Sequence, residues 1–184
     1  MYSHYHFPNQ KQGEHVLMFM RRHWIMAIKI IAITLLFSAI PALLFIVIIN
    51  YTNYFDSEIF RAGATLFISC YYLSIILYSF SMFIDYYLDV WIVTNQRVIN
   101  IEQKGLFARV VSEKELERMQ DITSEVKGFW ATVLHYGDVH IQTAGETERF
   151  IFKTVPYADE VSRKISNLVS EYNKMHKNIP QEKI

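Results

Sequence analysis

Two long stretches without a charged side chain constrain this chain more than any other feature. Residues 30–49 (IIAITLLFSAIPALLFIVII) and 64–84 (ATLFISCYYLSIILYSFSMFI) are each about twenty residues long. At 1.5 Å rise per residue, a helix of that length reaches roughly 30 Å, the thickness of the hydrocarbon core of a bilayer. The sequence therefore predicts two transmembrane helices, over about residues 24–49 and 63–85.

The alternative interpretation is a pair of buried helices in a soluble protein. The chain has only 184 residues, and the rest of it is too small to cover two apolar helices on every side. Trp24 precedes the first stretch, and Tyr86, Tyr87 and Trp91 follow the second. Aromatic rings of this kind favour the depth of the membrane interface, so we interpret residues 24–85 as a membrane hairpin.

The distribution of Lys and Arg predicts the orientation of this hairpin. Four basic residues precede the first apolar run, which begins at residue 30, one lies in the connecting loop and thirteen follow the second span. Cytoplasmic segments carry the excess of basic residues, so we expect both termini in the cytoplasm. The parts outside the hairpin are then an N-terminal segment (residues 1–23), a cytoplasmic domain (residues 86–176) and a frayed tail (residues 177–184).

Charge also limits the partners of the cytoplasmic part. After the second span, thirteen basic residues stand against fourteen acidic ones. Nucleic-acid binding requires a surplus of Lys and Arg on one face, so we expect no nucleic acid as a partner.

The N-terminal segment directly before the first span has its own pattern. In GEHVLMFMRRHW (residues 13–24), Val16, Leu17, Met20 and Trp24 fall on one face of a helix. This spacing predicts an amphipathic helix on the inner membrane surface. A helix that only extends the first transmembrane span into the cytosol fits the same residues.

Short apolar runs in the cytoplasmic domain predict antiparallel strands. Residues 90–93 and 98–101 flank a polar TNQR and indicate a hairpin. Four further segments with strand-like alternation follow, at residues 106–116, 119–128, 138–144 and 148–155. From Pro156 onward, apolar residues recur at helical spacing, and they are Val161, Ile165, Leu168, Val169 and Tyr172. The order predicts a bent sheet followed by one C-terminal helix.

Four sequence segments of this domain resemble the bacterial pleckstrin-homology-like (PH-like) proteins of the membrane-anchored type with two N-terminal spans. The segments are YYLDVWIVTNQRVINIEQKGLF, ELERMQDITSEVKGF, LHYGDVHIQTAG and VPYADEVSRKI. The matching positions are Thr94, Asn95 and Arg97 in the first motif, Met119, Gln120, Asp121 and Ile122 in the second, and Gly137, Asp138, Val139, Ile141, Thr143, Ala144 and Gly145 in the third.

The resemblance, over about residues 87–165, implies an α+β chain. It implies a transmembrane hairpin followed by a PH-like, strongly bent antiparallel β-barrel or sandwich with a C-terminal helix as its cap. The motif residues are then structural, and neither catalytic activity nor a cofactor is implied. The expected location is the bacterial cytoplasmic membrane, as a multi-pass protein.

The cluster His135, Asp138 and His140 is the main candidate for metal or proton chemistry. A structural zinc site typically needs four ligands, and the chain has a single cysteine, Cys70, inside a predicted span. By resemblance, Gly137 and Asp138 form a turn in which the carboxylate caps backbone N–H groups. We expect no metal here, and we expect none at the N-terminal histidines His4, His6 and His15. Ser112, with His135 and Asp138, lacks the context of a catalytic triad.

Three non-enzymatic functions are consistent with these features. The first is a membrane-tethered adaptor whose domain binds a protein, for example a second PH-like membrane protein or another copy. The second is recognition of membrane lipid, for which the candidate surface residues are Arg97, Lys104, Phe107 and Arg109. The third is an oligomeric pore or a transport accessory. We favour the first, because the TNQR loop has one arginine and neither span carries an acid, a base or an amide within its central run.

Overall fold

The computed structural model describes residues 10–51, 58–144 and 150–177. It divides into two compact units, Trp24–Tyr86 and a second one formed by Met1–His23 together with Tyr87–Ile184. Gly145, His4, His6 and the tail residues 178–184 lie outside the described residues.

The first unit consists of two long apolar helices, α1 (Ile25–Tyr51) and α2 (Glu58–Leu88). Their apolar segments, Ile25–Val47 and Glu58–Leu88, have mean hydropathies of 2.8 and 1.7, and neither is buried inside the protein. Helices whose apolar side chains point outward on all sides are suited to lipid. The prediction of two helices long and apolar enough to cross a membrane is confirmed.

Hydroxyl groups connect the two helices. Tyr72 Oη donates to the Ser38 carbonyl at 3.0 Å, and the hydroxyls of Thr34 and Ser79 lie 2.7 Å apart. Tyr71 Oη donates to the Phe37 carbonyl at 2.9 Å. In lipid, hydrogen bonds of this kind are among the few attractive interactions between helices. Lipid tails are as apolar as the helix surfaces, so burying apolar side chains between helices brings no hydrophobic gain.

The second unit begins with a strand where the sequence predicted a helix. β1 (Val16–Arg21) pairs antiparallel with β2 (Val90–Thr94), and Met20 lies opposite Trp91. Both helical interpretations of residues 13–24 are therefore wrong. Residues 16–20 are apolar at every position, so their pattern does not distinguish a helix from a strand, and pairing with β2 satisfies the backbone groups of the segment.

This pairing changes the boundary of the domain that the sequence predicted after the second span. The helical hairpin connects β1 to β2, so the domain includes the chain before the first span as well as the chain after the second. The expected domain of residues 86–176 lacks its first strand.

Two antiparallel sheets form the body of this unit. The first has the order β1-β2-β3-β4, where β3 is Arg97–Lys104 and β4 is Ala108–Glu115. The second has the order β5-β6-β7, and its strands are Met119–Glu125, Tyr136–Thr143 and Phe150–Pro156. A single 3₁₀ turn, Leu116–Arg118, connects the sheets, and a short helix α3 (Phe129–Leu134) lies between β5 and β6.

The C-terminal helix α4 (Ala158–Lys177) packs on β5 and β6. Its predicted apolar face is confirmed, because Ile165, Val161 and Val169 are buried in the core. Residues 139, 141 and 143 of β6 are also buried, as strand alternation predicted. The core between the sheets contains Trp91 against Phe152, with ring centroids 5.4 Å apart. The predicted α+β class, with antiparallel sheets and a helical cap, is confirmed.

Candidate functional site

The Thr-Asn-Gln-Arg segment between β2 and β3 holds the chain that precedes β1. Arg97 Nε lies 2.9 Å from Glu14 Oε1, and Arg97 Nη2 lies 3.0 Å from Glu14 Oε2. Arg97 Nη1 donates to Glu113 on β4. The Thr94 hydroxyl donates to Glu14 Oε1 at 2.8 Å and accepts from Arg97 N at 3.0 Å. We call Glu14, Thr94, Asn95, Arg97 and Glu113 the N-terminal clasp.

Asn95 extends the clasp along the backbone. Its Oδ1 accepts from His15 N at 3.0 Å, and its Nδ2 donates to the Gly13 carbonyl at 3.1 Å. The three motif residues of this loop therefore bind residues 13–15 and fix the start of β1. Their partners all lie within the domain.

Burial controls the electrostatics of the clasp. The side chains of Arg97 and Glu14 are 6% and 0% exposed. Burial alone would raise the pKa of Glu14, but hydrogen bonds from Arg97, from the Lys11 N–H and from Thr94 lower it below its ordinary value. The hydrogen bond to Glu14 raises the pKa of Arg97. Both groups are therefore ionised and paired at neutral pH.

This arrangement corrects one of the four candidate membrane contacts. Arg97 is 5% exposed, and both arms of its guanidinium bind carboxylates, so it cannot reach a phosphate on a membrane surface. Lys104, Phe107 and Arg109 are exposed at the turn between β3 and β4. Phe107 is 98% exposed.

Most of the remaining motif residues in the described part of the chain lie in the second sheet, and Ala144 directly follows β6. Gln120 and Asp121 are exposed on β5 where its register with β6 shifts, and Thr143 is buried opposite Met119. Gly137 is required by a close approach, because a Cβ atom there would lie 2.7 Å from the Glu125 carbonyl oxygen.

Each residue of the cluster that suggested metal chemistry, His135, Asp138 and His140, contacts a different partner. Asp138 Oδ1 accepts from Thr154 N at 2.7 Å, and His140 Nε2 lies 3.4 Å from Glu125 Oε2. The His135 ring stacks on Tyr157 with centroids 6.0 Å apart. Within residues 10–51, 58–144 and 150–177, no three His, Cys, Asp or Glu side chains are placed to hold a metal ion.

Asp138 also differs from its expected setting. The expected turn at Gly137 and Asp138 is wrong, because both residues belong to β6, at a register shift against β7. The carboxylate nevertheless caps a backbone N–H. That N–H belongs to Thr154, whose φ of 56° turns the β7 backbone out of regular pairing.

The outer edge of β4 is open. β4 is the last strand of its sheet, and in the part of the chain that is described its only strand partner is β3. Val110 and Val111 are 39% and 52% exposed there, and Ala108 and Arg109 are exposed beside them. An edge strand with exposed valines and no proline offers backbone N–H and C=O groups to an added strand.

A second exposed apolar surface lies on α3, and sequence analysis missed it. Phe129, Trp130 and Val133 are 73%, 65% and 50% exposed. The segment GFWATVLHYG lacks strand-like alternation, but its apolar residues at 129, 130 and 133 carry a one-turn helical pattern. A cavity of about 470 Å³ lies between α3 and the start of α4 and is lined by Val126, Ala131, Thr132, His135, Tyr157, Ala158, Asp159, Glu160 and Arg163.

This chain is similar to solved structures, two of which are described here, and to a protein family. A pleckstrin-homology-domain protein from Shewanella loihica is 15% identical over 46% of this chain and 69% of its own, with a TM-score of 0.35. A pleckstrin-homology domain from Shewanella amazonensis is 14% identical over 44% of this chain and 66% of its own, with a TM-score of 0.37. No curated protein matches the chain. Residues 19–169 match the family described as Bacterial PH domain, and the chain belongs to that family.

Proposed function

We propose that this protein is a non-enzymatic, membrane-tethered adaptor that binds an extended segment of a protein partner along β4. The observation that carries the proposal is the open edge of β4 with its exposed valines. Strand addition would satisfy the backbone groups of that edge, and the side chains of Val110 and Val111, which point to opposite faces, would contact alternate residues of the added strand.

The sequence and the two apolar helices support a position in the membrane. In this proposal, α1 and α2 span the bacterial cytoplasmic membrane, and the β domain lies on its inner face. The excess of Lys and Arg outside the connecting loop supports this orientation. The partner in this proposal is itself anchored in the membrane, such as a second PH-like protein or another copy. Confinement of both proteins to the same membrane raises their effective concentration for each other.

The clasp argues against phosphate recognition as the main function. Arg97 is the sole arginine of the loop between β2 and β3, and it is buried in the clasp. At the next turn, Lys104 lies 4.0 Å from Glu102, which offsets its charge. Specific recognition of a phosphorylated headgroup needs several cations directed at one point, so a protein partner is the better supported choice.

Photocrosslinking of the full chain in native membranes tests this proposal. Benzoylphenylalanine would replace Val111 in one variant and Glu171, an exposed residue of α4, in a matched control. We expect a discrete protein adduct from position 111 and none from position 171. An adduct at twice the mass of the chain would identify the partner as a second copy.

Two outcomes would reject the proposal. One is the absence of any adduct from position 111 in a variant that folds and inserts normally. The other is an identical set of adducts from positions 111 and 171, because a specific strand edge cannot give the same neighbours as the far side of α4.

A further inference from the structure

Two exposed apolar groups lie on separate loops of the β domain. Phe107 lies in the turn between β3 and β4, and Phe129, Trp130 and Val133 lie on α3, between β5 and β6. We call these four residues the apolar tips. Phe107 is almost fully exposed, and the three α3 side chains are at least half exposed. Large apolar side chains grouped in this way on a surface indicate an interaction site.

The first tip lies close to the point where the chain enters the domain from the second span. α2 ends at Leu88, and the next residue, Asp89, accepts a hydrogen bond from Gln103 N at 2.7 Å. Gln103 pairs with Arg109 across the same hairpin, and Phe107 lies in the turn that this hairpin closes. The turn is therefore at the end of the domain where β2 begins.

The second tip lies close to the point where the chain leaves the domain for the first span. His23 N donates to the Thr154 carbonyl at 2.8 Å, and the His23 ring packs on Tyr136 with centroids 5.2 Å apart. Tyr136 is the first residue of β6, and α3 ends two residues before it. Thr154 N in turn donates to Asp138 on β6.

Both tips and both chain connections are thus at one end of the β domain. Within the first sheet, this end contains the last residues of β1 and β3 and the first residues of β2 and β4. Within the second sheet, the last residues of β5 and β7 lie beside the first residues of β6, and the hydrogen bond from His23 to Thr154 joins this end to the end of β1. The opposite end has a different character. It carries the TNQR turn and the 3₁₀ turn, where Glu117 and Arg118 are exposed.

We infer that the apolar tips insert into the interface of the lipid bilayer and fix the orientation of the β domain on the membrane. The inference rests on the proposal that α1 and α2 span the membrane, because the chain then enters the bilayer from this end of the domain. Trp and Phe side chains favour interfacial depth, where an apolar ring contacts acyl chains.

Charge indicates which lipid surface the tips would contact. Lys127 beside α3 lies 2.6 Å from Glu125, and Lys104 beside Phe107 lies near Glu102. Each tip thus has a lysine whose charge is offset by an acidic neighbour, and Arg109 beside Phe107 adds one further exposed positive charge. Contact by the tips requires apolar insertion and no anionic headgroup, so zwitterionic phosphatidylcholine is sufficient.

The test measures the depth of spin labels on the full chain in nanodiscs of phosphatidylcholine. Cys70 would first be replaced by Ser, and single cysteines for the nitroxide would be placed at Phe107, at Trp130 and, as a control from the opposite end, at Glu117. Collisions with oxygen report lipid, and collisions with a water-soluble nickel complex report solvent. We expect labels at 107 and 130 to favour oxygen by at least about tenfold over the label at 117, as expected for apolar depth.

Three results would overturn the inference. Labels at 107 and 130 that are as accessible to nickel as the label at 117 would show that the tips lie in water. Labels excluded from both reagents would show that protein, such as a second copy, covers the tips. Loss of the difference on raising the salt concentration would show that charge attracts this end of the domain.

This experiment is independent of the crosslinking at β4. Tips in lipid with no adduct from Val111 would reject the protein partner and keep the membrane contact. Tips in water with a specific adduct from Val111 would do the reverse.

Discussion

Arg97 binds Glu14 through two parallel hydrogen bonds, Nε to Oε1 at 2.9 Å and Nη2 to Oε2 at 3.0 Å. The two residues are separated in sequence by the whole helical hairpin, so this ion pair joins the parts of the β domain on either side of it. A planar guanidinium that forms two bonds with one carboxylate also fixes the relative orientation of the two side chains. The clasp therefore orients the segment before β1 for pairing with β2.

We expect Arg97→Ala to lower the free energy of unfolding of the β domain by about 3–5 kcal/mol, because Glu14 would remain buried as an unpaired charge. Arg97→Lys should recover only part of this loss, since an ammonium group cannot form the two parallel bonds. Arg118→Ala, at an exposed arginine near the same end, is the control and should change stability by less than about 0.5 kcal/mol. Thermal unfolding of the full chain in detergent measures all three. Equal stability of Arg97→Ala and Arg118→Ala would contradict the role of the clasp.

The pKa of Glu14 predicts a dependence of stability on pH. The net effect of the clasp lowers this pKa below the ordinary value of about 4.3. The unfolded chain thus binds the proton more readily, so the stabilisation is complete above about pH 5 and is lost as the pH falls through the folded pKa. Glu14→Gln should remove this acid-dependent part and cost about 1–3 kcal/mol at neutral pH.

His23 adds a second, separate pH effect, because burial lowers its pKa. Protonation then favours the unfolded chain, and stability falls as the pH drops below about 6.5. This effect is present in wild type and in Glu14→Gln alike, so their difference isolates Glu14. If the two proteins lose stability in parallel from pH 6 to pH 3, Glu14 is not the titrating group.

Periodicity was sufficient to predict the elements that bury one face against the core. The apolar positions of α4 are buried as their helical spacing indicated, and β6 alternates as predicted. The two apolar helices followed from length alone. In each of these elements, either the spacing of the apolar residues or the length of the apolar run is enough to indicate the structure.

β1 could not be predicted in this way, because its structure depends on a distant partner. Val16–Arg21 is apolar at successive positions, which fits a strand and a helix equally, and only pairing with Val90–Thr94 decides between them. The role of Glu14 was hidden for the same reason. Its partner Arg97 is a motif residue in sequence, but a motif does not say which carboxylate its arginine binds.

Asp138 gives a prediction for a single hydrogen bond. Its Oδ1 accepts from Thr154 N at 2.7 Å at the irregular end of β7. Asp138→Asn keeps an oxygen that can accept this bond, so most of the stability should remain. Asp138→Ala should cost about 1 kcal/mol, because the Thr154 N–H loses its acceptor. Thermal unfolding compares the two variants, and an equal loss in both would show that charge, and not the accepted bond, is what matters.

Tyr71 and Pro41 give a prediction for the helical hairpin. Proline has no N–H, so the carbonyl of Phe37, four residues earlier, loses its usual helical donor. Tyr71 Oη on α2 donates to that carbonyl at 2.9 Å. Tyr71→Phe should weaken the association of the helices by roughly 0.6–2 kcal/mol. In the Pro41→Ala background the same change should cost less, because the substituted alanine would supply the helical N–H.

A double-mutant cycle measured by unfolding in detergent micelles tests this coupling. The expected result is that the double variant loses less stability than the sum of the losses in the two single variants. Tyr78→Phe, at an exposed tyrosine of α2, is the control and should have little effect. Additive effects of Pro41→Ala and Tyr71→Phe would mean that Tyr71 does not replace the missing donor.

The last prediction concerns the orientation of α1 and α2. The excess of Lys and Arg outside the connecting loop predicts that both termini are cytoplasmic, so the start of α2 should face the outside. In a Cys70→Ser background, single cysteines at Glu58 and at Ser170 report the two sides, and both positions are exposed. An impermeant thiol reagent added to intact cells should label Glu58→Cys and leave Ser170→Cys unlabelled. After permeabilisation both should react. Labelling of Ser170→Cys alone on intact cells would invert the orientation and place the β4 edge and the apolar tips on the outer face.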